Sequence, residues 1–551
     1  MNDRPRPTGG SGRKAVLVVA VLAFAAILVF IGYKLLVPRP PEPGPPDGTT
    51  ATGPELYANH CAACHGDKGD GNGPAARFLY PKPRNFGEGK FRLVTTANGV
   101  PSDGDLLRVI TYGMPGSAMF AFGHLPEADR QALVAHVRKL TREGVEAEVK
   151  RQTEGRGNPL SAEEFAEVVK EQTEPGPALE IPADLPAFSA ASVARGHELY
   201  KTLCASCHGA KGTAEGVIDQ KNTDGMPTRP RDFTRGVFKG GRDPRDLYAR
   251  IRLGMPGSPM PALKDIKPND VGDLANFVLS LSDPAIQAKA QHQRRHIVAR
   301  KVAGPLPETI SDDVWNGSPG TAVALSPLWW RDYKEPELTV AAVHDGKELA
   351  VRLTWLDPTR DDAAVRPQDF EDLAAVQLYK GSPEPFLGMG AADRPLDIWL
   401  WRAGQRTSGG PADVETQYPN MAVDLYPFEK AVNGSNRHPA EAQDPGFLTA
   451  RAAGNLNASP AAGGASNLVA RGFGTLTLRP RTSQTVRVRG DWKDGRWAVV
   501  LRRPLQPGTD GGLALAPGET VSVGFALWDG AARDRNGQKL VSIWHDLQVE
   551  E

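Results

Sequence analysis

The sequence predicts a multidomain chain: an N-terminal transmembrane helix, two all-α domains of one kind and a C-terminal all-β sandwich. Three observations predict it. Residues 15–33 are an uncharged apolar run, a motif-bearing segment of roughly 140 residues occurs twice, and from about residue 300 apolar and polar positions alternate with period two. A chain of 551 residues is too long for a single core. Lys+Arg and Asp+Glu are equal at 65 each, so charge calls for no strongly acidic or basic partner. With no basic run and no aromatic–basic interleaving, nucleic acid is not an expected partner.

Taken in order, residues 1–14 carry Arg4, Arg6, Arg13 and Lys14 and read as a cytoplasmic tail. Residues 15–37 read as a single-pass anchor, because an apolar helix of that length roughly spans a bilayer core. This places the chain at the inner membrane with its bulk on the periplasmic side. Residues 38–50, with "PRPPEPGPPDG", read as a stiff polyproline spacer. Two units follow at 51–141 and 191–283. Each begins with a short helix whose apolar positions are Leu56 and Tyr57, or Leu199, Tyr200 and Leu203. Each ends with a stronger one: Leu133, Val134, Val137 and Leu140 share one face, as do Val271, Leu274, Phe277, Val278 and Leu281, with Asn269 as the expected N-cap. Residues 142–190 read as a linker with one exposed helix around "SAEEFAEVVKEQ". In 300–551, "LTVAAVHDGKELAVRLTW" reads as two strands about an Asp-Gly turn, and "TVRVRGDWKDGRWAVVLRRPL" repeats the form. "ETVSVGFALWD" and "KLVSIWHDLQV" supply further strands, whereas 403–470 has no assignable pattern.

All four cysteines lie in "CAACHG" (61–66) and "CASCHG" (204–209). A C-x-x-C-H run fits covalent haem attachment: Cys61 and Cys64, or Cys204 and Cys207, add to the porphyrin vinyl groups, and His65 or His208 binds iron. A structural zinc site would need two more ligands at matching spacing, and a thioredoxin-like pair would need a βαβ setting; neither is present in the sequence. Each unit also offers "GMPGSxM", so Met119 and Met260 are the expected sixth ligands, with Met114 and Met255 as open alternatives and His124 as a weaker one. On these residues, 51–141 and 191–283 resemble class I cytochrome c domains, whose axial Met often sits in an "MPxF"-like context. "SPMPAL" fits that context better than "AMFAF". Arg84 in "PRNF" and Arg231 in "PRDF" recur at matched places and suit haem propionates, although a solvated Arg is an equal reading.

The segments "PFLGMGAADRPLDIWLWRAG", "GFGTLTLRP" and "VGFALWDGAARDRNGQKLVSIWHDL" resemble the haem-binding γ subunits of ethylbenzene dehydrogenase and dimethylsulfide dehydrogenase, which serve molybdenum enzymes. The resemblance implies a non-covalent haem b held by Met389 and Lys539. A ligating Lys must be neutral, which burial and iron would enforce. His344, His438 and His545 are fallback ligands.

The expected protein is therefore a membrane-anchored electron-transfer chain with two covalent haems c and one haem b, and no catalytic residues. Its implied partners are a molybdopterin/iron–sulfur oxidoreductase on one side, and a periplasmic cytochrome, a quinol-linked complex or an oxidase on the other. A di-haem peroxidase, with one open iron, and a haem-based sensor are the rival readings.

Overall fold

Both cysteine motifs sit on a short helix that follows directly from a longer one. A computed structural model describes residues 51–551, apart from 156–159, 217–219, 291–292, 308–312, 332–336, 364–367, 407–409, 412–463 and 509. Helix α1 (Gly53–His60) opens on a capping box between Thr52 and Glu55 and buries Leu56 and Tyr57. It runs into α2 (Ala62–His65), which carries the first motif. Helix α3 (Asp103–Tyr112) is capped by Ser102, whose hydroxyl accepts from the Asp105 N–H at 3.1 Å. The motif-closing helix α4 (Glu127–Gly155) buries Leu133, Val134, Val137 and Leu140.

In 142–190, read as a linker, the one expected helix is present, and the last helix of the first unit runs into the same segment as far as Gly155. Helix α4 thereby reaches 29 residues, and α5 (Ala162–Thr173) folds back so that Val145, Val149 and Val169 share a buried cluster. Ion pairs at i,i+4, such as Arg142 with Glu146 at 3.3 Å, line its exposed face. The chain then lies along the first unit, where the Leu179 N–H donates to the Thr95 carbonyl at 2.7 Å.

The second unit repeats the plan with α6 (Ala190–Leu203), α7 (Ala205–His208), α8 (Pro244–Leu253) and α9 (Pro268–Ser280). The N-cap of α9 is Lys267 rather than the expected Asn269. Pro268 takes the first helical position, where its missing N–H has no partner to lose. The unit is not purely helical, since Gln220–Lys221 and Pro227–Thr228 form a two-residue antiparallel ribbon.

The C-terminal region is a continuous sheet. Among the described residues its main path has eleven strands: β1 (His296–Lys301), β2 (Leu338–His344), β3 (Glu348–Leu356), β4 (Leu373–Tyr379), β5 (Leu396–Arg402), β6 (Ala465–Ala470), β7 (Thr477–Leu478), β8 (Arg487–Lys493), β9 (Arg496–Pro504), β10 (Thr520–Trp528) and β11 (His545–Val549). They hydrogen-bond in the order β7-β6-β5-β4-β10-β11-β1-β2-β3-β9-β8. Only the pairs β11·β1 and β1·β2 on this path are parallel. The sheet doubles over on itself: Trp401 of β5 and Trp497 of β9 are far apart in that order, yet their rings meet edge-on at 4.8 Å. The two halves thus share one core, and Asp397 on β5 pairs inside it with Arg503 on β9 at 2.7 Å.

Strand β5, "LDIWLWR", is buried on both faces. Trp399 and Trp401 face the shared core, while Leu396, Ile398 and Leu400 face outward into a second apolar cluster. A strand buried on both faces must be covered from outside. The cover here includes Phe120 and Phe122 from the first unit. Residues Thr52–Glu551 pack as one unit.

The expected membrane anchor is corrected. Among the described residues, no helix is long and apolar enough to cross a membrane. Residues 1–14, 15–37 and 38–50, to which the tail, anchor and spacer were assigned, lie outside the described residues, as does most of 403–470. The single-pass assignment and the inner-membrane localisation built on it are withdrawn.

Candidate haem sites

The two C-x-x-C-H motifs are held by the same local contacts. The His65 ring is stacked on Phe86 at 4.7 Å, and its Nδ1 donates to the Arg84 carbonyl at 3.1 Å. His208 does the same with Phe233 at 4.4 Å and the Arg231 carbonyl at 3.0 Å. A backbone acceptor on Nδ1 leaves the Nε2 lone pair available for a metal and fixes the ring plane. Tyr57 and Tyr200 each donate a hydroxyl to the glycine carbonyl after the motif, Gly66 and Gly209, at 2.8 Å. The four thiols form no disulfides. Burial pushes Cys61 and Cys64 up to about 12 and Cys204 up to about 11, so as free groups they would be protonated.

The methionine loops also match. In the first unit the Met114 N–H donates to the Met119 carbonyl at 2.9 Å, and the Ser117 hydroxyl donates to the Met114 carbonyl at 2.6 Å. In the second, Met255 and Met260 pair at 3.2 Å, and Ser258 donates to Met255 at 2.7 Å. Cys61, Cys64, His65, Met114 and Met119 all line one cavity, as does the Arg84 side chain. The cavity thus joins both thiols, the imidazole and both candidate thioethers, which is the donor set a covalent haem needs. His124 does not line it and lies beside Phe122 at 6.1 Å. The wall of the same cavity reaches beyond its own unit, to Phe386 of the sheet region and Lys239 of the second unit.

Met389 and Lys539 come to the outer face of the β4–β5–β10 region. Met389 packs on the second apolar cluster with Leu387 and Trp528. The Lys539 Nζ lies 4.6 Å from the Trp528 ring centre. Burial pushes Lys539 down to about 8, which favours the neutral amine a metal would require. A thioether and a neutral amine are, by their chemistry, a soft and a nitrogen donor of the kinds a haem iron accepts. Among the fallback ligands, His344 is fully buried at the end of β2, on the other half of the sheet, and its Nδ1 accepts from Gly346 at 3.2 Å. The His545 Nδ1 accepts from the Arg295 N–H at 3.0 Å. His438 lies outside the described residues.

Three features escaped the sequence reading. Arg92 and Lys239 occupy matching places, each after a phenylalanine (Phe91, Phe238), and superposing the two units in sequence would have paired them. His60, which burial pushes down to about 4, lines the first cavity; its counterpart in the second unit is Leu203, so no repeat signal marked it. The third is a hydrogen-bonded path from the first unit to the Lys539 loop. The Tyr80 N–H donates to the Leu328 carbonyl at 2.9 Å, and the Leu328 N–H donates to the Lys539 carbonyl at 3.0 Å. The neighbours of Tyr80, Leu79 and Pro81, line the first haem cavity.

Comparison with known proteins agrees with this division. The cytochrome c family matches residues 50–141 and 193–282, and the ethylbenzene dehydrogenase family matches residues 312–540. The dimethylsulfide dehydrogenase subunit gamma of Rhodovulum sulfidophilum is 28% identical over 39% of this chain and 62% of its own length. The chlorate reductase subunit gamma of Ideonella dechloratans is 25% identical over 48% of this chain and 89% of its own. A heme subunit assigned to respiratory nitrate reductase in Haloferax mediterranei is 25% identical over 44% of this chain and 69% of its own. Matches to the cytochrome c family and to the ethylbenzene dehydrogenase family thus stand side by side in one chain, and the relatives it resembles are gamma or heme subunits of oxidoreductases.

Proposed function

We propose that the chain is a three-haem wire: a haem b held by Met389 and Lys539, and haems c on Cys61, Cys64 and His65 and on Cys204, Cys207 and His208. In this reading Met119 and Met260 close the sixth positions. The haem b domain exchanges electrons with the iron–sulfur subunit of a molybdopterin oxidoreductase, and the haems c connect to a periplasmic cytochrome, a quinol-linked complex or an oxidase. Bound haem supplies one-electron redox chemistry. The chain's own residues fix the ligands, keep water from the iron and set the distances between sites.

One observation carries the reading. The first cytochrome unit touches both other sites: its cavity is walled by Phe386 from beside Met389 and by Lys239 from the second unit. Its Met119 loop continues into Phe120, which is buried in the cluster that holds Met389. The order haem b, first haem c, second haem c follows. The counterpart surface of the second unit supports a terminal position, since Leu203 is 43% exposed where the first unit has the buried-facing His60. Optical redox titration of the purified chain, with b and c haems counted separately, tests the proposal. Two haems c and one haem b are expected. A count without haem b, or rapid turnover of peroxide at a c haem, would end the wire reading.

A further inference from the structure

The loop that carries Lys539 is held from outside its own domain. It leads from the end of β10 to Leu540 and Val541, which pair with Leu527 and Ala526 on one side and with Pro327 and Ser326 on the other. Within the loop Asn536 takes a left-handed φ of 52°, and Gly537 follows it. The Trp528 Nε1 donates to the Asn536 carbonyl at 3.1 Å, and the Lys539 Nζ lies 4.6 Å from the centre of the Trp528 ring. Trp528 thus braces the turn and the amine from within the domain.

The other brace comes from the first cytochrome unit. There Ala76–Phe78 form a 3-10 turn, with Leu79 and Tyr80 directly after it. A Cβ on Gly537 would lie 2.5 Å from the Phe78 Cβ and 2.7 Å from its Cδ1, closer than packed carbon atoms come. Gly537 lies outside the left-handed region, so space and not backbone strain requires glycine here. Tyr80 forms a parallel bridge with Trp329, their rings 5.4 Å apart. Its N–H donates to the Leu328 carbonyl, and the Leu328 N–H donates to the Lys539 carbonyl at 3.0 Å. Phe78 therefore abuts the loop two residues before Lys539, and Tyr80 reaches the Lys539 backbone through one intervening residue. Counting back from "PRNF" and "PRDF", the second unit has Gly225 and Pro227 at these places, so the contact is the first unit's own.

A lysine has a long, mobile stem, and it seats on a metal only where the backbone that carries it is fixed. Resting on the reading of Lys539 as a haem b ligand, we propose that Phe78 and Tyr80 of the first cytochrome unit are positioning residues for that lysine. The nitrogen ligand of one domain is seated by the docking of another. Ligation at the haem b site is then a property of the assembled chain and not of the sheet region alone.

The test uses the full holo chain. Gly537→Ala drives a methyl group into Phe78 and leaves Lys539, Met389 and both C-x-x-C-H motifs in place. The ratio of high-spin or empty sites to low-spin ferric haem b, read by electron paramagnetic resonance and haem b content, should rise roughly 5- to 150-fold, the range an overpacked contact sets. Gly537→Ala combined with Phe78→Gly should return to the level of Phe78→Gly alone, because the methyl then meets no side chain. Haem c content, the haem c signals and far-UV circular dichroism should not change. Phe78→Trp, which crowds the same contact from the other side, takes the place of Gly537→Ala if that variant does not fold. An unchanged haem b in the crowded variant overturns the proposal. So does a perturbed haem b that Phe78→Gly fails to relieve, since the effect then arises within the sheet region. Lys539→Ala tests the underlying reading separately: a haem b that stays bound and low-spin there removes the lysine from the iron and overturns both.

Discussion

Gly254→Ala should detach the sixth ligand of the second haem c without removing the haem. Gly254 ends α8 with φ 66° and ψ −155°, and its counterpart Gly113 ends α3 with φ 65° and ψ −161°. This is backbone that only glycine adopts readily, and another residue held there is strained by about 1–3 kcal/mol. Space is short as well: a Cβ at Gly254 would lie 2.6 Å from the Met260 carbonyl oxygen, the group that accepts the Met255 N–H. The loop can relieve both by moving away. A strain of about 1–3 kcal/mol shifts the equilibrium between seated and detached loop by roughly 5- to 150-fold. The sulfur-to-iron absorption band of one ferric haem c should therefore weaken or vanish, while the pyridine haemochrome still counts two haems c. Gly113→Ala should do the same to the other haem. An unchanged band in Gly254→Ala, with the protein folded, would refute the claim that this loop supplies the ligand.

Other outcomes follow from the same geometry. Lys539→Ala should lose the extractable haem b and keep both haems c; retention of haem b would move the ligand elsewhere. Phe120→Ala removes a ring that is 8% exposed between the first unit and the sheet, and should cost about 3–5 kcal/mol of stability together with slower b-to-c electron transfer in flash or stopped-flow experiments. Burial raises Asp372, fully buried, to about 7, and Asp357 to about 6, above the ordinary 3.8. The folded form then holds protons that the unfolded chain releases, so stability should fall as pH rises from about 4 to 7, by at most ~4 kcal/mol for Asp372. Thermal melts across that range check this, and Asp372→Asn should flatten the slope.

Much of this arrangement was written in local patterns. The two C-x-x-C-H runs, the apolar faces at Leu133–Leu140 and Val271–Leu281, and the strands on each side of Asp345-Gly346 depend on neighbours in sequence, so spacing reveals them. The continuation of α4 was hidden because its buried stripe is only Val145 and Val149 in a charged stretch, and their partner Val169 lies on another helix. The Lys267 cap was missed because Pro268 outranks Asn269 as a helix start. The anchor expected at 15–37 rested on the apolar run and its flanking Arg and Lys residues, and no helix among the described residues is long and apolar enough to cross a membrane. The reach of Lys239 into the first unit's cavity and the Tyr80–Leu328–Lys539 path could not be read, since they join residues more than 140 positions apart or cross from one domain to another.

The divergence of the two copies shows which surfaces the assembly constrains. Where the units face each other they remain alike: Arg84 answers Arg231, and Arg92 answers Lys239, cation for cation. Where the first unit packs beneath β5 they part. Phe120 and Phe122 join the cluster beneath β5, whereas the second unit has Pro261, exposed, and Leu263 at those places, and His60 is replaced by the exposed Leu203. Duplication alone would leave both faces equivalent. A face kept the same on both copies implies a contact both use, and a face rebuilt in aromatic residues on one copy implies a packing site that this face alone fills. The first unit therefore carries both kinds of face, whereas the second meets the C-terminal region elsewhere, through Arg229 lying 4.8 Å over the Trp330 ring.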